Sequence, residues 1–139
     1  KKITITDYKN IYISRKNSIN RAIINDEDLS NFLLKYNFIT VYLEKLTILE
    51  QIELFSNANI VIGLHGAGSI NIAFGTKIKL YIEIHNTDYI YYDNCFFQIC
   101  DILNINYYCI HSNSEGHPHT GKFTFTNFED IDFLLKDII

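Results

Sequence analysis

Asn59–Phe74 reads NIVIGLHGAGSINIAF, and the fold turns on this stretch. Ile60, Val61 and Ile62 form a short unbroken apolar run. Such a run, bounded by turn residues, suits a strand buried on both faces of a sheet. Gly63 ends it, His65-Gly66-Ala67-Gly68 follows, and Ser69 is placed to cap a short helix through Phe74. The predicted order is buried strand, glycine-rich turn, helix N-terminus. That order gathers unpaired backbone N–H groups and the positive end of a helix dipole at one point, where an anion can sit. The glycines allow the main chain to approach such an anion closely. His65 adds a side-chain donor, and a full charge when protonated.

The same pattern is also an ordinary way to fold a chain back on itself. It is not a P-loop, because no Gly-Lys-Ser/Thr follows. It is not a dinucleotide fingerprint either: Gly66-x-Gly68-x-x-Asn71 lacks the third glycine, and the turn does not follow the first strand. GAGS is not the GxSxG of a nucleophile elbow, so Ser69 reads as a cap rather than a nucleophile.

Working outward, Asn10–Ser14 reads as a first strand with Arg15 at its carboxyl end and a basic turn continuing to Arg21. Asn25-Asp26-Glu27-Asp28 opens a helix, with Leu29, Phe32, Leu33 and Tyr36 on one face. Ile39–Leu43 is a second strand, and Thr47-Ile48-Leu49-Glu50 is a capping box for a helix with Ile48, Ile52 and Phe55 inward. After the glycine turn come a strand at Lys79–Ile84, a long helix marked by Tyr92, Phe96, Ile99 and Leu103, and a strand at Asn106–Ile110. His111–Gly121 is a polar loop holding Pro118. A further capping box at Thr126-Asn127-Phe128-Glu129 leads a last helix, with Phe128, Ile131 and Leu135 inward. Strands and helices alternate throughout, which predicts an α/β domain: a Rossmann-like parallel sheet with helices on both faces.

Composition agrees. The 139 residues are 47% hydrophobic and 14% aromatic, enough for one domain with a sizeable core and unlike a disordered chain. A net charge of −4 argues against nucleic acid as the main partner. No apolar run is long enough to span a bilayer, and no signal peptide is visible. The chain starts at Lys1 and contains no Met, so it reads as a piece of a longer protein. That leaves localisation open between cytoplasmic and membrane-associated, with any anchor or signal upstream. Cys95, Cys100 and Cys109 show no CxxC spacing, and an odd number suits reduced, buried thiols. One disulfide plus one free thiol is the alternative.

In open parallel sheets ligands bind outside the carboxyl ends of the strands. Arg15, the loop at Glu44–Thr47, His65–Ser69 and Glu83–His85 all map to that edge. Two arginines, a histidine and open amides call for a dianion, because Arg presents a fixed fork of donors to phosphate. A carboxylate at the same edge opposes phosphate but suits a ribose diol, so the combination reads as a nucleotide. Each residue also has a plainer reading: Arg15 and Arg21 as solvated charges, Glu83 facing solvent from an edge strand, His65 tying the turn. His111, His117 and His119 invite a metal, yet His-x-His in a polar loop is usually solvated and no carboxylate or Cys stands at ligand spacing.

The residues resemble glycosyltransferase family 61, which includes plant xylosyl- and arabinosyltransferases and animal O-GlcNAc transferases of the endoplasmic reticulum. The shared pattern runs through Ile13-Ser14-Arg15, Arg21-x-Ile23-x-Asn25, Val41-x-Leu43-Glu44 and Gln51-x-x-x-Phe55-x-x-Ala58. It continues through Gly63-x-His65-Gly66-Ala67-Gly68, Asn71, Phe74 and Ile82-Glu83-Ile84, covering about residues 11–110. The resemblance implies the C-terminal, donor-binding half of a GT-B enzyme, with an N-terminal acceptor-binding domain outside this chain. It also implies a nucleotide-sugar donor, generally UDP-linked, inverting transfer to a protein or glycan hydroxyl, and no metal or other cofactor. By position, Arg15, Arg21, His65 and the Gly66, Ala67 and Gly68 amides would face the diphosphate. His65 would stabilise the leaving group, Ser69 and Asn71 would lie in the donor site, and Glu83 would meet the ribose or sugar. Ser69-Ile70 replaces a usual Leu-Thr before Asn71, and Gly75-Thr76-Lys77 replaces a proline-rich turn. Two other functions fit the residues: a non-catalytic nucleotide- or glycan-binding module derived from such an enzyme, and a flavodoxin-like domain. A flavodoxin-like phosphoacceptor would want clustered acids where this edge is basic.

Overall fold

The computed structural model describes residues 9–86, 94–112 and 121–139. Tyr92, His117, Pro118 and His119 lie outside the described residues. Five strands form one sheet: β1 (Asn10–Ile13), β2 (Phe38–Val41), β3 (Ile60–Leu64), β4 (Leu80–Asn86) and β5 (Asn106–Ser112). Every pairing is parallel and the order is β2-β1-β3-β4-β5. Four helices connect or follow the strands: α1 (Asp26–Leu34), α2 (Ile48–Asn57), α3 (Cys95–Ile102) and α4 (Phe128–Leu135). The chain runs from β1 outward to β2, then returns past β1 to β3 and on to β5. The order therefore reverses between β1 and β3, which opens a crevice at their carboxyl ends.

Strand side chains alternate between two cores. Tyr12, Ile62, Ile82 and Ile84 pack with Leu29 and Leu33 of α1 and Ile131 and Leu135 of α4. Ile11, Val61 and Tyr81 pack with Leu54 and Phe55 of α2 and Phe96 and Cys100 of α3. β3 is buried at every position, as its apolar run predicts. Helices thus cover both faces, which is the expected α/β architecture. No helix among the described residues is long and apolar enough to cross a membrane. All three cysteines are free.

Several local expectations change. The turn of α2 places Leu54, Phe55 and Ala58 inside and leaves Ile48 61% exposed. The Thr47 capping box is present, and it puts Ile48 in the first turn, on the outer side. In α3 Phe96 and Cys100 form the inner face, and Leu103 lies past the end, 43% exposed. The 3-10 helix after the glycine turn spans Ala67–Phe74 with Gly66 in the N-cap position, so Ser69 is not the cap. The chain tightens three residues sooner than the Ser signal predicts, and the Ser69 amide bonds back to the Gly66 carbonyl. Nor does Thr126 open a capping box: α4 begins after Asn127, whose side chain donates to Asp130 at 2.9 Å. β4 and β5 each run two residues further than predicted, so His111 belongs to a strand rather than to a polar loop.

Candidate functional site

β1 ends at Ile13, and its register places Ile13 beside Gly63 of β3. Ser14 and Arg15 therefore leave the sheet beside the glycine turn. Ser14 is fixed from below: its hydroxyl donates to Asp26 at 2.8 Å and accepts from the Lys16 amide at 3.1 Å. Asp26, 2% exposed, also accepts from the Tyr12 hydroxyl at 2.6 Å. Its place at the head of α1 suggests only a dipole partner, but the fold uses it to anchor the end of β1.

The Arg15 guanidinium lies over Gly66. A Cβ at Gly66 would meet the Arg15 Nη1 at 2.5 Å, so only glycine permits this approach. Arg15 Nε donates to the Arg21 carbonyl at 3.0 Å, and Nη2 donates to Ser18 Oγ at 3.0 Å and the Asn20 carbonyl at 3.1 Å. These bonds curl the basic loop around the guanidinium and bring Arg21 alongside. Arg21 has φ 52°, in the left-handed region, which costs a non-glycine residue about 1–2 kcal/mol. Its Nε is buried with no hydrogen-bond partner among the described residues. The loop is held in this state from the C-terminal end of the chain. Ile23 bridges to Phe123, and Asn25 exchanges two hydrogen bonds with the Phe125 backbone at 2.8 and 2.9 Å.

Burial, and then the neighbouring charge of Arg21, lowers the Arg15 pKa from its ordinary value, with Glu44 partly offsetting both. Two adjacent cations and a buried donor without an acceptor make a place short of negative charge. Ala67, exposed, and Gly68, half-exposed, open the 3-10 helix beside them. First-turn amides lack intrahelical acceptors. Arg15, Arg21 and Gly66–Gly68 are therefore brought together.

The other expected residues turn inward. The Ser69 hydroxyl accepts from Tyr81 at 2.7 Å and is 1% exposed. The Asn71 amide donates to Gln51 Oε1 at 2.9 Å and to the Gly68 carbonyl at 3.2 Å. Gln51 Nε2 in turn donates to the Leu43 and Leu46 carbonyls at 3.1 and 3.2 Å. One glutamine thus ties the loop after β2 to the glycine turn. Spacing alone assigns it no such role.

Glu83 has no exposed surface. His65 Nδ1 and Tyr107 bond its two carboxylate oxygens, and His85 Nε2 lies 3.2 Å from the oxygen that His65 holds. Burial pushes the Glu83 carboxyl up, but the bonds from His65, His85 and Tyr107 together outweigh it and hold the pKa at about 2. With Glu83 ionised all three partners must donate, so His65 carries a proton on Nδ1. The His65 ring also packs on His85 at 4.3 Å and edge-on to Phe96 at 5.3 Å. His65, Glu83 and His85 each offer a ligand atom within 4.8 Å of the others, so this trio is where a cation could be held. Its carboxylate oxygens already have three donors, and it reads as a hydrogen-bonded network. Period 2 along β4 puts Tyr81, Glu83 and His85 on one face, so His85 was available to sequence reasoning. Tyr107 was not, because only the pairing of β4 with β5 brings it near.

A cavity of about 280 Å³ lies between the β1 end and the loop after β2, lined by Ile13, Ser14, Arg15, Leu43, Glu44 and Gly68 among others. A larger one, about 730 Å³, lies at the opposite edge, beside Asn10, Phe38, Ile60 and Lys79 at the strand amino ends. It is remote from the glycine turn, and ligands in such sheets take the carboxyl edge.

A family model described as glycosyltransferase 61 matches residues 1–81. The chain is also 27% identical over 135 residues to the EGF domain-specific O-linked N-acetylglucosamine transferase of Drosophila melanogaster. That alignment covers 88% of this chain and 25% of the relative, so the chain spans about a quarter of that protein's length.

Proposed function

Because the chain belongs to the glycosyltransferase 61 family, we propose that it is a donor-binding domain for a nucleotide sugar. The diphosphate sits between Arg15, Arg21 and the Gly66–Gly68 turn. The observation that carries this reading is Arg21, strained at φ 52° with its buried Nε lacking an acceptor. A diphosphate oxygen supplies that acceptor, and Arg15 is already pinned beside it. The donor is a UDP-sugar. The relative's name specifies N-acetylglucosamine, which is a UDP-linked sugar in its usual activated form. Two arginines and helix amides neutralise the diphosphate without a metal.

In the reaction an acceptor hydroxyl oxygen on a protein or glycan attacks the anomeric carbon from the face opposite the diphosphate. The anomeric carbon–oxygen bond breaks, its electron pair passes to the diphosphate, and configuration inverts. The hydroxyl proton goes to a base contributed at the cleft by the acceptor-binding half. Arg15, Arg21 and the turn amides stabilise the charge growing on the leaving group. His65 joins them as an imidazolium, the one form in which Nδ1 donates to Glu83 and Nε2 also donates to the leaving group.

Calorimetry of the chain with UDP, GDP and UMP tests this. UDP is expected to bind best, with EDTA making no difference. Arg21→Gly keeps the left-handed backbone and removes only the cation. It is expected to weaken UDP about tenfold or more, on the scale of a charged hydrogen bond, while uridine is little affected. Folded protein that binds none of the three nucleotides would overturn the reading, and loss of binding in EDTA would overturn its metal-free part.

A further inference from the structure

We propose that Glu44 reads the ribose of the donor, its carboxylate accepting from the 2′,3′-diol of a nucleoside seated in the cavity between Glu44 and Arg15. This rests on the donor reading above. The cavity lies between the end of β1 and the loop after β2, and Gly68 of the diphosphate cradle is on its lining. At about 280 Å³ it falls just short of the roughly 300–1,000 Å³ of a whole small-molecule site. It fits a part of the donor.

Its lining carries both a cation and an anion, Arg15 and Glu44, and among the described residues no ion pair joins them. A nucleoside diphosphate offers a partner to each, a dianion to Arg15 and neutral hydroxyl donors to Glu44. Glu44 repels the phosphates and welcomes the diol, so it sets which way round the donor lies. Ile13 and Leu43 supply apolar surface for the ring face between.

Glu83 is the other carboxylate at this edge, and it has neither surface nor spare partners to offer a diol. Glu44 has both. It is exposed, and Asn17 Nδ2 donates to its Oε1 at 3.0 Å. That bond, then its own backbone amide, and more weakly Lys45 and Arg15, hold its pKa below the ordinary value, so it is an acceptor at neutral pH. A carboxylate has about four acceptor sites, so capacity remains for two hydroxyls. The Gln51 bond to the Leu43 carbonyl fixes the loop that presents it.

The test is calorimetric titration of the chain with UDP and with 2′,3′-dideoxy-UDP, in wild type, Glu44→Gln and Glu44→Ala. Wild type is expected to prefer UDP by about tenfold or more, the scale of hydrogen bonds to a charged group. Both variants are expected to narrow that preference to about twofold with dideoxy-UDP affinity unchanged. Glu44 is exposed and outside any core, so melting curves of the variants are expected to overlay wild type. If wild type binds both ligands equally, or the variants keep the full preference, the Glu44 assignment is overturned while the donor site stands. If neither ligand binds wild type, the donor reading fails and this assignment fails with it.

Discussion

At the residue scale the site depends on where protons are held. His65 was expected at the mouth of the glycine turn as a donor to the leaving group. The structure adds that it is 6% exposed and bonded to a buried carboxylate. His65→Ala therefore mixes two effects, because removing one partner of a buried charge is strongly destabilising in itself. His65→Asn separates them. The Asn amide reproduces the Nδ1 donor to Glu83 but offers nothing on the far side of the ring. In a sugar-transfer assay it is expected to keep the melting temperature and lower kcat by about 10²-fold, the scale of losing one oxyanion donor. Donor KM is expected to change little, since the bond strengthens as charge develops. His65→Gln, which extends a donor to the far position, is expected to recover part of the rate. An Asn variant with wild-type kcat would remove His65 from the chemistry.

At the scale of elements, α2 links the local code to the site. Thr47 and Glu50 make a complete capping box: Thr47 N donates to Glu50 Oε2 at 2.7 Å, and the Thr47 hydroxyl accepts from the Glu50 amide. One residue further on, Gln51 extends its side chain from α2 to hold the Leu43–Leu46 turn and Asn71. A cap therefore stabilises not only a helix but the loop carrying Glu44. Thr47→Ala is expected to cost about 1 kcal/mol, a fall in melting temperature of about 3–5 °C for a domain of this size. An unchanged melting temperature would mean that α2 starts are satisfied by solvent and the cap is idle.

At the scale of the whole molecule, a buried ionised carboxylate couples folding to pH. Glu83 has a folded value of about 2 against an ordinary 4.5. Its stabilisation is fully present above about pH 4.5 and is lost as pH falls from there towards 2, amounting to about 3 kcal/mol by linkage. Urea unfolding at pH 6, 4.5 and 3 measures it. Glu83→Gln is expected to unfold more easily at pH 6 and to lose much less stability on acidification than wild type. Glu44, Glu50 and Asp132 are also lowered, but they are present in both proteins and cancel in the comparison. Equal acid slopes would mean that Glu83 does not carry its charge in the fold.

Hydrophobic periodicity, glycine spacing and cap residues are local properties, and they sufficed for the parallel α/β sheet, the glycine turn at the end of β3 and the placing of Arg15 beside that turn at the carboxyl edge. Ile60–Ile62, an apolar run bounded by turn residues, suits a strand covered on both faces, and such a strand needs helices on either side. What only the tertiary structure decided is which polar groups face a ligand and which face the protein. Ile82-Glu83-Ile84 reads the same whether Glu83 points to solvent or to protein. Phe96 and Cys100 of α3, packed on that face with Tyr81, and Tyr107 across the β4–β5 pairing enclose it. Arg21 is likewise one more basic loop residue until Phe123 and Phe125, about a hundred positions away, hold the loop and leave its Nε without an acceptor. Burial and strand register depend on partners distant in the chain, and no window around a residue contains them.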